Sequence, residues 1–538
     1  MARPRAIIVG GGFAGAFTAR YLHKYARGAI DIELFNAENY FVFQPLLPEV
    51  ASGTISAPDA VTPLRYMLPG VRIRMAEVTH LDQSTRTVHF LQGSRRRPQS
   101  VAYDHLIVAV GQKTDLTRSP GFQEHGLCMR SLADAHQLRN KIIRRLEHAD
   151  VTTDNALKRQ LLTIVVAGGG FSGVETIGEV AEMIRRTLKF YPNIQADEIR
   201  CVLIQRDKGI LPELPQSLGD YAAAKLCKRN VEILCGRSIT SATASAVYLD
   251  DGSRIKTSMF VTTVGNRPHD FTQRLGIELV KGKIPVDRHL KVRGSGNIWA
   301  LGDAALVPLS DAGTDSEAFA PPTAQHAVRE AQCVARNIIN SLGDKELLQF
   351  SYKAQGSLAS IGNYKGVAEI RGVKLSGLLA WILWRAIYIG MLPGFATRLR
   401  VALNWFFDYF LPRSIVQIAN RVDAATQYRC YAKGDIVSEA GQFVDGLYTV
   451  ISGCLESRIS NAAEGEDLVR ILGPGDHWGE RSLSEDTKTA GTLIATEDTR
   501  VMVLPASDFR NLCEAFPALA SYFESKSDTT HAPPLRRH

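Results

Sequence analysis

The strongest pattern in this chain is a run of apolar residues that leads into a glycine-rich turn and then into an amphipathic segment. Residues 6–9 predict a buried parallel strand, and residues 16–25 predict a helix. Between them, one glycine permits a tight turn, a second lets the backbone approach a pyrophosphate and a third lets the helix pack on the strand. The phosphates then meet free N–H groups and the positive end of the helix dipole. The residues assigned to this first dinucleotide turn are Gly10, Gly12, Phe13, Ala14 and Gly15.

The same pattern occurs a second time. Residues 163–167 predict another buried strand, and residues 174–188 predict the helix that follows it. One chain with two such units most economically binds two dinucleotides, and the alternative is a duplicated scaffold with one empty site. The residues assigned to the second turn are Gly168, Gly170, Phe171, Ser172 and Gly173.

Size, charge and cysteine usage narrow the class of protein. A chain of 538 residues is too long for one core, so about three domains are expected. The formal charge of +8 suits nucleotide ligands or an anionic membrane surface, but it is spread over many residues, and no nucleic-acid partner is predicted. The eight cysteines form no CxxC and no metal-ligand spacing, so neither a metal site nor a redox disulfide is expected. This usage fits a reducing compartment.

The strand that follows each predicted helix normally ends in an acidic residue, which accepts a hydrogen bond from a ribose hydroxyl. In the first unit this position falls on Asn36, whose amide oxygen can accept but carries no charge, and Glu38 is a less well placed substitute. In the second unit it falls on Gln205, followed by Arg206. A carboxylate there would repel a 2′-phosphate, whereas an arginine accommodates it. The sequence therefore predicts that NADPH is tolerated as well as NADH.

Residues 39–53 include the sequence Phe-Gln-Pro-Leu-Leu and end in Val-Ala-Ser-Gly. Here the chain resembles the type II NADH dehydrogenases, the single-chain NADH:quinone oxidoreductases, in which a similar segment lies close to the flavin. The resemblance covers about residues 1–415 and implies that Gln44 and Pro45 line the FAD site. Residues 297–305 resemble a segment shared by two-dinucleotide flavoproteins, which implies that Gly302 allows close approach and Asp303 bonds the ribityl chain of FAD.

Further matches to this family imply the reacting groups. Glu175 matches a glutamate near the meeting point of nicotinamide and flavin, although a carboxylate in the first turn of a helix is also ordinary helix chemistry. Gly111 and Gly265 end strands that return the chain to the flavin and nicotinamide sites. Gln325 matches the first glutamine of a quinone-associated AQxxxQ signature, whereas the second has become Arg329. One turn apart, the two side chains share a face that could meet a quinone head group, but the substitution leaves the acceptor open.

Two hydrophobic stretches follow, at residues 375–393 and 401–411. The first is about long enough to span a bilayer, but Arg385 lies in its middle, which disfavours a spanning helix. Aromatic and arginine-rich amphipathic helices are typical of the membrane interface, and the resembled family ends in similar helices. A soluble homodimer interface is the alternative.

From about residue 421 the sequence changes to short strands and turns that resemble a cyclic nucleotide-binding β-roll. Gly479 and Glu480 match the phosphate-binding cassette of that family, in which the glutamate bonds the ribose 2′-hydroxyl. The cassette arginine is replaced by Thr489, with Lys488 beside it. Without a guanidinium the bidentate phosphate contact is lost, which favours a vestigial or differently liganded regulatory domain over a cyclic AMP sensor.

These observations predict an α/β protein with two Rossmann-like units, interfacial helices and an all-β roll. The resemblance implies hydride transfer from NAD(P)H to FAD and then electron transfer to a quinone, at the cytoplasmic side of the inner membrane. The alternatives are a flavin-based redox or nucleotide sensor and a flavoprotein reductase with a protein or soluble acceptor. The predicted organisation is 1–125 with 290–372 for FAD, 126–289 for NAD(P)H, 373–415 for the membrane-associating helices, 421–525 for the β-roll and 526–538 for a disordered tail.

Overall fold

The structure is a computed structural model that describes residues 3–93, 95–309, 319–417, 427–460, 467–484, 487–516, 518–519 and 521–523. The predicted tail at 526–538 lies outside the described residues. The α/β class and the two dinucleotide-binding units are confirmed: each glycine turn follows the central strand of a parallel sheet.

The first glycine turn lies in a seven-stranded sheet. Its first five strands are parallel, and the last two extend it as antiparallel neighbours. The helix after the turn spans Phe13–Ala26 and packs against the helix Ala324–Leu342. It begins three residues earlier than predicted, because the last residues of the glycine turn already form its first turn. In sheet order the strands are Ile298–Ala300, His105–Val108, Arg5–Val9, Asp31–Asn36, Arg72–Asp82, Thr87–Gln92 and Arg97–Ala102.

Smaller elements complete this first unit and its connection to the second. The strand Gln112–Thr114 pairs with Asn266–Pro268, so two chain crossings between the units form one antiparallel ribbon. The other short strands pair as Tyr40–Val42 with Val61–Pro63 and Ile284–Pro285 with Ala305–Leu306. The short helical segments are Gln44–Leu46, Leu47–Ala51, Ala57–Ala60, Leu64–Met67, Asp270–Gln273 and Gly302–Ala304.

The second glycine turn lies in a five-stranded parallel sheet. The helix after the turn spans Phe171–Thr187. The sequence Ser-Leu-Ala-Asp at residues 131–134 has the form of a capping box, and the helix Leu132–Val151 does start at one, between Ser131 and Asp134. In sheet order the strands are Gly126–Leu127, Met259–Thr262, Thr163–Ala167, Arg200–Gln205 and Val231–Cys235. A three-stranded antiparallel sheet is formed by Ile239–Ala242, Ala246–Leu249 and Arg254–Lys256. The remaining helices are Phe122–His125, Asn155–Leu161, Leu188–Phe190, Ala196–Glu198 and Gln216–Cys227.

The first hydrophobic stretch does not begin as a helix. Val373–Gly377 is the edge strand of a three-stranded antiparallel sheet with Gly366–Ile370 and Gly356–Ser360, and the helix starts only at Leu378. The strand begins at Val373, whose β-branched side chain favours an extended backbone, whereas the hydropathy of the stretch alone indicated a helix. The two helices that follow are Leu378–Met391 and Phe395–Phe410. Among the described residues, no helix is long and apolar enough to cross a membrane.

The last part of the chain is a β-roll with its own hydrophobic core. It consists of two four-stranded antiparallel sheets. The first has the order Gln427–Tyr431, Thr499–Pro505, Gly446–Ser452 and His477–Trp478. The second has the order Ile436–Ser438, Thr492–Ala495, Leu455–Ser460 and Asp467–Leu472. The helices are Glu480–Ser484 and Ala506–Ala515.

Candidate active site

A cavity of about 380 Å³ opens at the first glycine turn. Nine of the residues predicted for FAD line it, whereas Gly15 lies behind the turn, where an added Cβ would overlap the carbonyl oxygen of Gly10. Gly12 caps the helix without a side chain, so the first-turn N–H groups are left for a ligand. The nine residues are Gly10, Gly12, Phe13, Ala14, Asn36, Gln44, Gly111, Gly302 and Asp303.

The far end of this cavity carries charged groups. Arg130 lies 3.9 Å from Asp303, and both line the cavity. Burial raises the pKa of Asp303, and Arg130 opposes that rise. Beneath them, Glu330 accepts a 2.7 Å hydrogen bond from the Gly302 N–H. Free N–H groups at one end and a carboxylate at the other fit the pyrophosphate and the ribityl hydroxyls of FAD.

The amide at the end of the second strand, predicted for the ribose, also has a structural contact within its own turn. The Asn36 oxygen accepts a 2.8 Å hydrogen bond from Gly11 N–H, and its nitrogen donates to the Glu38 carbonyl. Gln205 repeats this arrangement, because its oxygen accepts from Gly169 N–H and its nitrogen donates to Asp207. Both amides therefore stabilise their own glycine turns, and no carboxylate occupies either position.

A second cavity, of about 660 Å³, opens at the second glycine turn and is called the donor cavity here. The basic side chains of Arg118, Arg206 and Arg237 line it. The Arg206 side chain is 82% exposed and lies 4.0 Å from Asp207, so it is free to turn toward a ligand. All the residues predicted for NAD(P)H line this cavity: Gly168, Gly170, Phe171, Ser172, Gly173, Gln205, Arg206 and Gly265.

A third cavity, of about 410 Å³, joins the two units and is called the junction cavity here. It receives Phe13 from the first glycine turn and Phe171 from the second. Groups predicted for the reaction meet in it although they come from distant parts of the sequence. The predicted residues that line it are Phe13, Gln44, Pro45, Phe171, Ser172, Glu175, Gly265 and Gln325.

Glu175 is the buried carboxyl group in the wall of the junction cavity. Its Oε1 accepts hydrogen bonds from Ser360 N–H at 3.0 Å and from Trp384 Nε1–H at 3.1 Å. Burial raises its pKa to about 8, against the lowering effect of these two donors, and the negative charges of Glu49 and Glu179 raise it further. Glu175 is therefore mostly protonated at neutral pH.

Glu49 and Glu179 extend this carboxyl group into a buried cluster. Glu49 accepts a 2.8 Å hydrogen bond from Trp405 Nε1–H and lies 3.7 Å from Arg385, while burial raises its pKa to about 7. Glu179 accepts from Ser52 at 2.8 Å and lies 3.3 Å from a buried Arg413. The sequence reasoning missed Glu49 as a functional group, although it lies inside the segment 39–53 that was singled out.

A fourth cavity, of about 440 Å³, continues from the junction cavity and is called the acceptor pocket here. It extends toward the helices Leu378–Met391 and Phe395–Phe410, which precede the β-roll and are called the C-terminal helices here. Gln325 and Arg329 both line it, as their spacing predicts. The amide of Gln325 donates to the Gly356 carbonyl at 3.0 Å and accepts from the Tyr352 hydroxyl at 3.1 Å. Arg329 lies over the Tyr352 ring, with 5.5 Å from its Cζ to the ring centroid. The pocket thus combines an anchored amide, a cation and an aromatic wall.

The C-terminal helices close this pocket with one face and leave the other exposed. Val401 and Trp405, one turn apart, are buried against the FAD unit. Arg385 lies between two tryptophan rings, 3.8 Å from the Trp381 centroid and 4.5 Å from that of Trp405. The arginine that argued against a spanning helix is therefore a half-buried partner of the buried Glu49.

The β-roll places the predicted cassette residues at the start of a short helix and in a loop. Glu480 begins the helix Glu480–Ser484, and its Oε2 is buried without a hydrogen-bond partner among the described residues. Thr489 is buried, and its hydroxyl donates to the Glu439 carbonyl at 2.8 Å. Lys488 Nζ lies 6.0 Å from the Phe443 ring centroid. The position of the cassette arginine is thus filled by a hydroxyl that bonds within the protein.

Family comparisons match this architecture segment by segment. The pyridine nucleotide-disulphide oxidoreductase family matches residues 4–331, the NDH2 C-terminal domain matches 354–414 and the cyclic nucleotide-binding domain matches 428–516. The type II NADH:quinone oxidoreductase Ndh of Mycobacterium tuberculosis is 31% identical over 429 residues, which cover 76% of this chain and 89% of that protein. The chain belongs to the type II NADH:quinone oxidoreductase family.

A further relative and a solved structure extend the comparison, the structure for the fold alone. The internal alternative NAD(P)H-ubiquinone oxidoreductase A1 of Arabidopsis thaliana is 28% identical, covering 77% of this chain and 86% of its own length. The structure of NDH2 from Plasmodium falciparum in complex with NADH has the same fold, with a TM-score of 0.72 at 21% identity over 77% of this chain and all of that chain. The predicted family, enzyme class and FAD and nicotinamide cofactors of this type II NADH:quinone oxidoreductase are confirmed.

Proposed function

We propose that this type II enzyme oxidises NADH, and NADPH as well, and reduces a membrane quinone to the quinol. The reaction consumes one NAD(P)H, one proton and one quinone. The observation that carries the proposal is the junction cavity, which residues of both glycine turns line and which continues into the acceptor pocket. Bound FAD would accept a hydride and pass two electrons onward.

The residues of the junction cavity supply position and a proton. The two N–H donors to Glu175 both meet Oε1, so the proton of its neutral carboxyl is carried on Oε2. Because each turnover takes up one proton that the nicotinamide does not bring, a neutral carboxyl group in the cavity wall is suited to supply it. Glu49, with its pKa raised to about 7 by burial, is suited to return that proton.

The acceptor pocket fits a flat ring with polar oxygens. We assign Gln325 and Arg329 to the quinone oxygens. Tyr352 positions both side chains, Gln325 through its hydroxyl and Arg329 through its ring. An arginine in place of an amide favours an oxygen that gains negative charge during reduction. Replacing Arg329 with glutamine is therefore expected to lower kcat with the quinone more than it changes the KM for NADH.

The donor cavity supports the use of both nicotinamide dinucleotides. The position of the usual carboxylate is held by Gln205, whose amide is occupied within the turn, and Arg206 extends freely beside it. Arg206→Ala is expected to lower kcat/KM for NADPH about tenfold and to leave that for NADH within twofold, as lost 2′-phosphate pairing requires. A strong preference for NADH that is unchanged in this variant would contradict the assignment.

We propose that the exposed face of the C-terminal helices lies in the membrane interface, at the cytoplasmic face of the inner membrane. This face carries large apolar side chains, among them Leu379, Phe395, Phe406 and Phe410, which are 59–80% exposed. A pair of amphipathic helices with a large exposed apolar face fits a lipid surface, which also supplies the quinone. In vesicle flotation, Phe406→Asp with Phe410→Asp should release the protein, whereas Val151→Asp, at an exposed apolar position on the helix Leu132–Val151, should not. A homodimer through this face would instead double the mass of lipid-free protein.

The β-roll is proposed to be a regulatory domain that has lost cyclic nucleotide binding. The buried Thr489, bonded to a backbone carbonyl, offers no guanidinium to a cyclic phosphate. Calorimetry with cyclic AMP and cyclic GMP tests this. Micromolar binding of either nucleotide would refute the loss of the site.

Steady-state kinetics separate the proposed enzyme from its alternatives. Purified protein in detergent should show flavin absorbance and sustain NADH oxidation with a short-chain quinone over many turnovers. A redox sensor would be reduced once and stop. A reductase for a protein acceptor would turn over with a ferredoxin and not with the quinone, and either result would overturn the proposal.

A further inference from the structure

The segment Phe122–His125, called the docking helix here, lies between the donor cavity and the β-roll. Its first residue, Phe122, lines the donor cavity and packs edge-to-face on Phe260, with 4.9 Å between ring centroids. Gly121 before it has φ +75°, and an added Cβ would overlap the Ala242 carbonyl oxygen. The start of the docking helix therefore packs closely against the nucleotide-binding unit. A shift of this helix would move Phe122 and so change the wall of the donor cavity.

The other end of the docking helix contacts the β-roll. His125 Nε2 accepts a 2.9 Å hydrogen bond from the Cys430 N–H, and the Cys430 carbonyl accepts from the Ala244 N–H at 3.0 Å. Glu124 pairs with Arg500 at 3.0 Å. Burial, with smaller effects of Lys141 and Arg429, lowers the pKa of His125 to about 3. The imidazole therefore stays neutral near physiological pH and remains an acceptor.

Within the β-roll, side chains connect this interface to the cassette. Arg429, next to Cys430, donates to the Tyr448 hydroxyl at 2.9 Å and pairs with Asp445 at 2.8 Å. The Tyr448 ring packs edge-to-face on Trp478, with 5.7 Å between centroids. Trp478 is followed directly by Gly479 and by Glu480, whose Oε2 has no partner among the described residues. The edge strand that docks and the strand that leads into the cassette belong to one four-stranded sheet.

We propose that the β-roll acts as a clamp on the donor site. In its docked state it holds the docking helix in place, which tightens binding of the dinucleotide. The cassette in turn shifts the equilibrium between the docked and the undocked β-roll. The proposal rests on the proposed function in one respect, that the donor cavity holds NAD(P)H. Because coupling between two sites is reciprocal, dinucleotide binding must also strengthen the docking of the β-roll. The regulated quantity is affinity for the donor, and the acceptor pocket lies outside this contact.

The test uses the full-length, FAD-loaded protein and measures the affinity for NAD⁺ and for ADP-ribose by calorimetry. Arg500→Ala removes the pair with Glu124 and should raise both dissociation constants at least threefold. Tyr448→Phe removes a hydroxyl from the route to the cassette and should act in the same direction. The charge reversal Glu124→Arg with Arg500→Glu should restore affinity. The matched control is Arg458→Ala, which removes the ion pair with Glu456 elsewhere on the β-roll and should leave both constants unchanged.

Hydrogen exchange provides a second readout that does not depend on turnover. NAD⁺ should slow exchange of the Cys430 and Ala244 amides, and Arg500→Ala should speed it. Unchanged dissociation constants in a variant whose Cys430 amide has opened would overturn the proposal, as would equal effects of Arg500→Ala and Arg458→Ala. If the wild type binds NAD⁺ and shows this coupling but does not reduce a quinone, the proposed function fails and the clamp stands. If it binds neither nucleotide, the donor assignment fails, and the clamp fails with it.

Discussion

Replacing Glu175 with glutamine gives a direct measurement of its buried carboxyl group. The carboxyl is buried, and its Oε1 accepts from Ser360 and Trp384, so a glutamine can keep the same acceptor oxygen. Burial raises the pKa from the ordinary value of 4.5 to about 8. A glutamine side chain resembles the neutral carboxyl and cannot ionise. The variant should therefore fold like the protonated wild type.

The pH dependence follows from proton linkage. Between pH 4.5 and 8 the folded state binds more protons than the unfolded state, so this group stabilises the fold at low pH, and its contribution is lost as the pH rises through 8. From pH 6 to pH 8 the loss amounts to roughly 2 kcal/mol for a single independent group. Glu49, whose pKa burial raises to about 7, adds a slope of the same sign in both proteins.

The assay is urea unfolding of the FAD-loaded protein, followed by flavin fluorescence at pH 6, 7 and 8. The wild type should lose roughly 2 kcal/mol more stability than Glu175→Gln over this range. Glu278→Gln changes an exposed carboxylate and should behave like the wild type. Equal slopes in the wild type and Glu175→Gln would refute the argument that burial keeps Glu175 protonated.

Three further changes test other parts of the site. Gly173→Ala places a Cβ against the Gly168 carbonyl oxygen, so NAD⁺ binding measured by calorimetry should be lost while flavin absorbance is retained. Arg385→Met leaves the buried Glu49 without this cation and should cost roughly 3 kcal/mol in the free energy of unfolding at pH 8, measured in urea. Tyr352→Phe removes the hydroxyl that holds Gln325 and should raise the KM for a short-chain quinone two- to fivefold, with the KM for NADH unchanged.

Local constraints made part of the fold readable in advance. The two glycine turns could be placed because tight turns and close backbone approach restrict a position to glycine, whatever surrounds it. The start of the helix Leu132–Val151 could be placed because Ser131 and Asp134 cap it through contacts three residues apart. The strand Val373–Gly377 could not be read, since hydropathy alone does not distinguish a short edge strand from the first turn of an apolar helix.

The roles of single side chains were harder to read. Asn36 and Gln205 were correctly placed at the ends of their strands, but their hydrogen bonds to Gly11 and Gly169 were not foreseen. An amide oxygen has two lone pairs, so the residue type alone does not reveal that one of them accepts from a backbone N–H of the same turn. Glu49 was passed over because a single glutamate in an apolar segment has no periodic pattern.

By itself the sequence determined the two dinucleotide turns, the family and the order of its segments, because each depends on residues close together in the chain. Only the tertiary structure decided that Glu49, Glu175 and Glu179 form one buried cluster, sealed by Trp384 and Trp405. It also decided that the β-roll docks on the wall of the donor cavity. The physical reason is that burial and long-range hydrogen bonds set a side chain's protonation and its partners, and both arise only when distant segments pack together.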